Sequence, residues 1–186
     1  MDRQTRIALL VDHFKRPRHK GRLEEADARM PGGNPGCGDI VTLHVRAEPD
    51  APRIAEVTFE GEGCTISQAA ASILAQRVNK RKPSFDDVAA LSYEEMIELL
   101  GRDVVGSRPR CATLALGTLK AAVRRIEMDR RLRAAGSSDA EIEAMRARLA
   151  AQAAGSGLVF GEDAITAAKA GATERPPDPI GSGEDR

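Results

Sequence analysis

Aromatic residues are scarce in this chain. Its 186 residues include no tryptophan, one tyrosine and four phenylalanines, so aromatics make up only 3% of the sequence. Hydrophobic residues nevertheless reach 41%, and a chain of this length is sufficient for one domain with appendages. We therefore expect a hydrophobic core that is aliphatic and rich in alanine.

An excess of either charge is also missing. Lys and Arg together number 28, as do Asp and Glu, whereas nucleic-acid-binding proteins usually carry a basic excess. We therefore expect no general binding of nucleic acid. The basic cluster at residues 15–20 is either a contact for an acidic partner or a solvated helix end.

Long apolar stretches are absent as well. No run approaches the roughly 20 apolar residues that a membrane helix requires, and the first residues lack the apolar run and cleavage site of a secretory signal. These features predict a cytoplasmic protein without a membrane segment. The three cysteines are an odd number, which in that compartment favours metal binding or thiol reactivity over a disulfide framework.

A helix is predicted at the start of the chain. Residues 3–16 place four apolar side chains at helical spacing on one face: Ile7, Leu10, Val11 and Phe14. Pro17 ends this helix. Residues 18–33 are polar and contain Gly and Pro, which predicts a long connection.

Two strands are predicted after the connection. Residues 40–47 and 55–60 alternate apolar and polar side chains with a period of two, and turn-forming residues separate them. The pattern predicts an antiparallel hairpin with one solvated face. His44 falls on the polar face, so we expect it to be exposed.

Helices are predicted over most of the remaining chain. One begins near Thr65, and two short ones cover residues 84–91 and 92–100, each opening with a serine suited to capping. Ser92 has Glu95 three residues further on, which is the spacing of a capping box. A long helix with several arginines near its end follows.

The composition changes after about residue 135. A helix is predicted at residues 139–154, whereas residues 171–186 contain Gly, Ser and Pro and almost no apolar groups, which is typical of disorder. We therefore predict a domain at residues 1–135, a helical C-terminal extension at 136–170 and a disordered tail at 171–186. We expect a solvated extension rather than an accessory interaction segment.

The loop at residues 34–39 places a thiol and a carboxylate two residues apart. Its sequence, NPGCGD, predicts a tight exposed turn, because Gly tolerates positive φ and Pro fixes φ. Cys37 and Asp39 within this turn resemble half of a metal site.

Two further thiols lie where helices are predicted to begin. Cys64 follows a strand and Cys111 opens the long helix, and a helix N-terminus stabilises thiolate. If these loops meet at one end of the sheet, three sulfurs and the Asp39 carboxylate form a set suited to tetrahedral Zn²⁺. The alternative is that each cysteine is a small buried hydrophobe.

Four segments, in order, resemble the SufU-type branch of the NifU/IscU family of iron–sulfur cluster assembly proteins. They are DHFKRPR at residues 12–18, NPGCGD at 34–39, FEGEGCTIS at 59–67 and RPRCATL at 108–114. The resemblance covers roughly residues 1–130. It implies a compact, IscU-like α+β domain in which a small antiparallel sheet of about three strands packs against several helices.

The resemblance also implies which residues bind metal. The positions that match the family's ligands are Cys37, Asp39, Cys64 and Cys111. In the scaffold branch a His normally precedes the third cysteine, whereas this chain has Arg110 there. An arginine three residues before that cysteine marks the SufU-type branch, and Arg108 occupies this position.

In the SufU-type branch zinc holds the site, and a SufS-type cysteine desulfurase delivers persulfide sulfur to the residue that matches Cys37. The resemblance thus implies catalytic roles for Cys37 and Arg108, with Arg108 either steering the anionic sulfur or forming an ordinary ion pair. The chain would pass sulfur to downstream SUF assembly proteins and act as a partner of the desulfurase rather than as a stand-alone enzyme.

Two other functions remain open at this point. A scaffold would assemble a [2Fe–2S] cluster, or bind iron, on the same ligands, although the missing His before Cys111 disfavours it. A structural zinc module would use the metal only to hold its loops together, since zinc binding can drive the folding of small domains. A thiol redox enzyme is disfavoured because the sequence contains no CxxC motif.

Overall fold

The computed structural model describes residues 1–106, 108–152 and 158–173. The described residues form, in chain order, α1 (Arg3–Lys15), β1 (Ala28–Asn34), β2 (Asp39–Ala47), β3 (Ile54–Glu62), α2 (Thr65–Arg81), α3 (Phe85–Ala90), α4 (Tyr93–Leu100), α5 (Arg102–Val105), α6 (Pro109–Ala134), α7 (Asp139–Gln152), β4 (Val159–Phe160) and α8 (Asp163–Thr173). The predicted α+β class is confirmed. Within these described ranges, every helix is too short or too polar to cross a membrane.

The sheet is antiparallel and has the strand order β3-β2-β1-β4. The hairpin of β2 and β3 was predicted, whereas all of β1 except Asn34 lies within the stretch predicted to be a connection. Its Gly and Pro residues are depleted in strands, so propensity concealed it. The structure supplies the reason for one of them, since a β-carbon at Gly32 would lie 2.0 Å from Oγ1 of Thr118 in α6.

Helices pack on both faces of this sheet. Neighbouring residues of a strand point to opposite faces, and a β-carbon at Gly32 would meet α6 whereas one at Gly33 would meet α8. The prediction of a solvated face is therefore wrong for β2. His44 is only 1% exposed, and its Nε2 lies 2.8 Å from Oε2 of Glu60 on the neighbouring strand.

Helix α1 has nearly the predicted bounds but a different buried face. Leu10 is buried as predicted, whereas Val11 and Phe14 are 37% and 43% exposed. His13 is buried instead, and its Nδ1 lies 2.8 Å from the hydroxyl of Ser72 in α2. The predicted apolar face is wrong for the second half of the helix, because this polar contact between α1 and α2 takes the place of an apolar one.

The predicted starts of three helices are confirmed, two of which were predicted from capping serines. Helix α2 begins at Thr65, and α3 and α4 each follow a serine that forms a complete capping box. In α4 the Ser92 hydroxyl accepts from the Glu95 N–H, and the Glu95 carboxylate accepts from the Ser92 N–H. In α3 Asp87 takes the place of the usual Glu or Gln.

The C-terminal extension packs against the rest of the protein, so the expectation of a solvated extension is wrong. Asp129 of α6 is buried and forms an ion pair with Arg146 of α7. Strand β4 pairs with β1, and Ala164 and Ala168 of α8 are fully buried. Their spacing of four residues places two small side chains on one face of α8, which permits close packing on the sheet.

The ends of two predicted segments differ from the structure or lie beyond what it describes. Helix α8 continues to Thr173, so residues 171–173 of the predicted tail are helical. Residues 174–186 lie outside the described residues. Helix α7 ends at Gln152, and the last two residues predicted for it also lie outside the described part of the chain.

Candidate metal centre

A tight turn joins β1 to β2 and carries Cys37, as predicted. The N–H groups of Cys37 and Gly38 both donate to the Asn34 carbonyl oxygen, at 3.1 and 2.9 Å. Gly38 has φ of 70°, a conformation that favours glycine. The turn leaves Cys37 partly exposed at its tip and delivers Asp39 to the first position of β2.

Asp39 is fully buried beside the start of α2. Its Oδ1 accepts from the Cys64 N–H at 2.7 Å, and its Oδ2 lies 3.8 Å from Cys64 Sγ. A β-carbon at Gly63 would lie 2.4 Å from Asp39 Oδ1, so the glycine before Cys64 permits this approach. Two segments far apart in the sequence are thereby joined at one carboxylate.

Cys111 lies in the first turn of α6 and is 1% exposed. Its Sγ lies 3.4 Å from Cys37 Sγ, and the Asn34 side-chain amide donates to it at 3.5 Å. The Oδ1 atom of that amide is buried without a hydrogen-bond partner among the described residues. Asn34 therefore supports the thiol cluster, a role that the sequence analysis did not assign to it.

The four predicted site residues converge, and three of them form a tighter group. Three ligand atoms lie within 4.8 Å of one another, one from each of Cys37, Asp39 and Cys111. Cys64 stands beside this group through its contact with Asp39. Three thiols around one buried carboxylate form the donor set expected for Zn²⁺, although which of them coordinate remains a prediction.

The thiols of the metal-free protein differ in acidity. The hydrogen bond with the Cys111 thiol, aided by the Ser67 N–H, lowers the pKa of Cys64 to about 6. The same hydrogen bond raises the pKa of Cys111, and burial and the Asp39 carboxylate act in the same direction. Cys64 caps α2 and accepts from the Ser67 N–H at 3.5 Å, so the predicted helix N-terminus is in place.

An open pocket of about 240 Å³ lies against the cluster and is lined by both Cys37 and Cys111. Arg108 and Arg110 also line it, and both are exposed. Arg108 precedes α6 without capping it through its side chain. No carboxylate in the described part of the chain pairs with Arg108, so its guanidinium is available to an anion that enters the pocket.

Fold and site together define the class: an α+β protein with a thiol–carboxylate cluster at the end of a small antiparallel sheet. The family model described as NifU-like N terminal domain matches residues 7–132. The chain therefore belongs to the NifU-like N-terminal domain family of iron–sulfur cluster assembly scaffold proteins. The family resemblance seen in the sequence is confirmed.

Two curated relatives span most of their own length in the comparison. The iron–sulfur cluster assembly scaffold protein IscU of Streptococcus pyogenes serotype M1 is 33% identical over 136 residues, covering 64% of this chain and 82% of that protein. The zinc-dependent sulfurtransferase SufU of Bacillus subtilis (strain 168) is 31% identical over 134 residues, covering 64% of this chain and 89% of that protein.

Solved structures share the fold over a similar share of the chain. One, of a hypothetical protein, is 32% identical with a TM-score of 0.55, covering 65% of this chain and 98% of that chain. Another is the putative iron–sulfur cluster assembly scaffold protein for the SUF system of Fervidobacterium islandicum AW-1. It is 25% identical with a TM-score of 0.50, covering 62% of this chain and 93% of that chain. The IscU-like architecture is thus confirmed.

Proposed function

We propose that this chain accepts sulfur for iron–sulfur cluster assembly, with Cys37 as the acceptor thiol. The observation that carries the proposal is the position of Cys37, which is partly exposed at the tip of a turn and lines a pocket beside Arg108. Asp39 and Cys111 are enclosed by comparison. The name of the B. subtilis relative, a zinc-dependent sulfurtransferase, supports the same chemistry.

The donor set fits zinc. A buried carboxylate beside thiols is costly without a compensating cation, and Asp39 has no ion pair among the described residues, although its carboxylate accepts from the Cys64 N–H. Zinc held by Cys37, Asp39, Cys64 and Cys111 would keep the thiols deprotonated, because metal binding displaces their protons.

Sulfur transfer requires the Cys37 thiolate and the persulfide of a SufS-type cysteine desulfurase. The Cys37 Sγ attacks the terminal sulfur of the donor persulfide, a new sulfur–sulfur bond forms and the donor's own breaks. The donor cysteine leaves as a thiolate, and the transferred sulfur, which is deprotonated in the anionic persulfide, stays anionic on Cys37. The exchange balances without an external oxidant or reductant, and the sulfur is then available to downstream SUF assembly proteins.

Arg108 is proposed to guide the anionic persulfide toward Cys37. It lines the same pocket and lacks an ion pair among the described residues, which favours steering over the alternative of an ordinary ion pair. Arg110 lines the pocket as well and is equally exposed, so it is a matched control for the effect of charge alone.

The proposal is tested by the initial rate at which a SufS-type desulfurase converts cysteine to alanine with this chain as sulfur acceptor. We expect the wild-type chain to stimulate the rate and Cys37→Ser to abolish the stimulation. Arg108→Ala should reduce it roughly tenfold, the order of one charge-assisted contact, and Arg110→Ala should reduce it much less. Full stimulation by Cys37→Ser would refute the proposal, and equal losses in the two arginine variants would refute the role of Arg108.

A cluster scaffold is the second candidate function, because the S. pyogenes relative is named as one. It would bind a [2Fe–2S] cluster, or iron, through the same donors. Anaerobic reconstitution with iron and sulfide distinguishes the two functions. A stable visible spectrum that is lost in Cys111→Ser favours the scaffold, whereas retained zinc without that spectrum favours the sulfur acceptor. A structural zinc module would retain zinc and never stimulate the desulfurase.

A further inference from the structure

The C-terminal strap, residues 158–173, packs against the strand that leads into the Cys37 turn. It comprises β4 and α8 and lies beyond the family match, which ends at residue 132. Strand β4 pairs antiparallel with β1, placing Phe160 opposite Gly32 and Val159 opposite Gly33. The strap thus adds an edge strand and a helix to the domain next to its candidate metal centre.

Two glycines of the domain lie where the strap approaches most closely. A β-carbon at Gly33 in β1 would lie 2.3 Å from the Ala164 carbonyl oxygen of α8. A β-carbon at Gly117 in α6 would lie 2.7 Å from the Phe160 ring of β4. Neither distance is compatible with close packing at van der Waals separation. A side chain at either position would therefore displace the strap, so the domain is shaped to receive it.

A third glycine brings the strap onto the turn itself. A β-carbon at Gly171 in α8 would lie 2.3 Å from the Pro35 carbonyl oxygen and 2.8 Å from Pro35 Cβ. Pro35 is two residues before Cys37, whose N–H donates to the Asn34 carbonyl within the same turn. The first residue of the turn, Asn34, is therefore fixed as the last residue of β1, and the second, Pro35, is fixed by its contact with α8.

We propose that the strap is a positioning element that restrains the Cys37 turn and keeps its thiol directed into the cluster. The restraint applies to the first half of the turn, so movement of Cys37 is confined to the tip between Gly36 and Gly38. The effect of this restraint on sulfur transfer rests on the proposed function, whereas the restraint itself does not.

The variant Gly171→Ala tests the proposal in the full chain. One added methyl group must displace α8 from Pro35, and overpacking of about 1 kcal/mol corresponds to a roughly fivefold change in an equilibrium. We expect alkylation of Cys37 by iodoacetamide, measured by peptide mass spectrometry, to become roughly fivefold faster. Alanine is a better helix former than glycine, so loss of α8 helicity is not the cause. Thr166→Ala, at an exposed position of α8, should leave the rate unchanged.

A second variant loosens the strap without overpacking it. Phe160→Leu removes most of the ring contact with Gly117 and should also accelerate the alkylation of Cys37. Amide hydrogen exchange should increase in the peptide containing residues 34–39 and stay unchanged in β3. Unchanged alkylation in both variants would overturn the proposal, as would an equal increase in exchange across the whole sheet. If alkylation accelerates but Cys37 never carries persulfide, the strap stands and the proposed function fails.

Discussion

The ion pair between Asp129 of α6 and Arg146 of α7 links the helix α7 of the C-terminal extension to the domain. Asp129 lies in the part of the chain that matches the family, whereas Arg146 lies beyond it. The Asp129 side chain is 3% exposed and that of Arg146 is 21% exposed. The two nitrogen–oxygen distances are 2.5 and 3.1 Å. Arg146→Ala would therefore leave a buried carboxylate without its cation.

Removing one partner of a buried ion pair costs about 3–5 kcal/mol. A fifth of the Arg146 side chain reaches solvent, so water can partly hydrate the remaining carboxylate and the lower end of this range applies. We expect Arg146→Ala to lower the free energy of unfolding by about 3 kcal/mol. Glu143 contacts the same guanidinium at 2.7 Å but is largely exposed, and Glu143→Ala should cost less than about 1 kcal/mol.

Urea unfolding at neutral pH, followed by circular dichroism, measures both variants against the wild-type chain. The double variant Asp129→Asn/Arg146→Met removes both charges and should recover part of the loss, because the unpaired buried charge is the main cost. An Arg146→Ala variant that loses no more stability than Glu143→Ala would refute the packing of α7 on α6 through this ion pair.

Two further predictions concern other parts of the domain. Burial and the nearby Arg18 charge lower the pKa of His13 in the folded protein below its ordinary value of 6.5. The unfolded chain therefore binds more protons, so the free energy of unfolding should fall as the pH drops from about 7 through 6.5. His13→Gln should flatten this dependence of the urea midpoint on pH, and equal slopes in both proteins would contradict the effect. Gly32→Ala would place a β-carbon 2.0 Å from Thr118 Oγ1 and should lower the free energy of unfolding by about 1–3 kcal/mol. Thermal unfolding measures this loss, and an unchanged midpoint would contradict the close packing of β1 on α6.

Features set by local chemistry could be predicted from the sequence. The serine caps of α3 and α4 depend on residues three apart, so Ser84 and Ser92 mark helix starts without reference to the rest of the fold. The Cys37 turn is likewise specified by its own glycines and proline. Each of these features is contained in one short segment.

Features set by packing between distant segments could not be predicted in this way. Strand β1 contains Gly32 and Gly33 because helices approach both of its faces, and a pattern of propensities does not reveal that approach. His44 was predicted to be exposed because alternation alone indicates a solvated face, whereas the second face of the sheet is covered as well. Helix α8, which contacts β1 and β2, comes from the extension predicted to be solvated.

The candidate site lies between these two cases. The sequence places Cys64 and Cys111 at helix starts, and both positions are confirmed. They come close to Asp39 only because the sheet brings these distant segments together, and this arrangement could be inferred only from the family resemblance. The amide of Asn34 that donates to Cys111 was missed, because an asparagine at the start of a turn has a sufficient local reason to be there.

The most direct test of sulfur acceptance is to locate the persulfide. The zinc-loaded chain is incubated with a SufS-type desulfurase and cysteine, alkylated, and digested for mass spectrometry. We predict one additional sulfur atom on the peptide containing Cys37, and none on the peptides containing Cys64 or Cys111. The comparison is stringent because Cys64 is partly exposed like Cys37, so exposure alone does not decide between these two thiols. Sulfur on Cys64, or on none of the three thiols, would contradict the proposed role of Cys37.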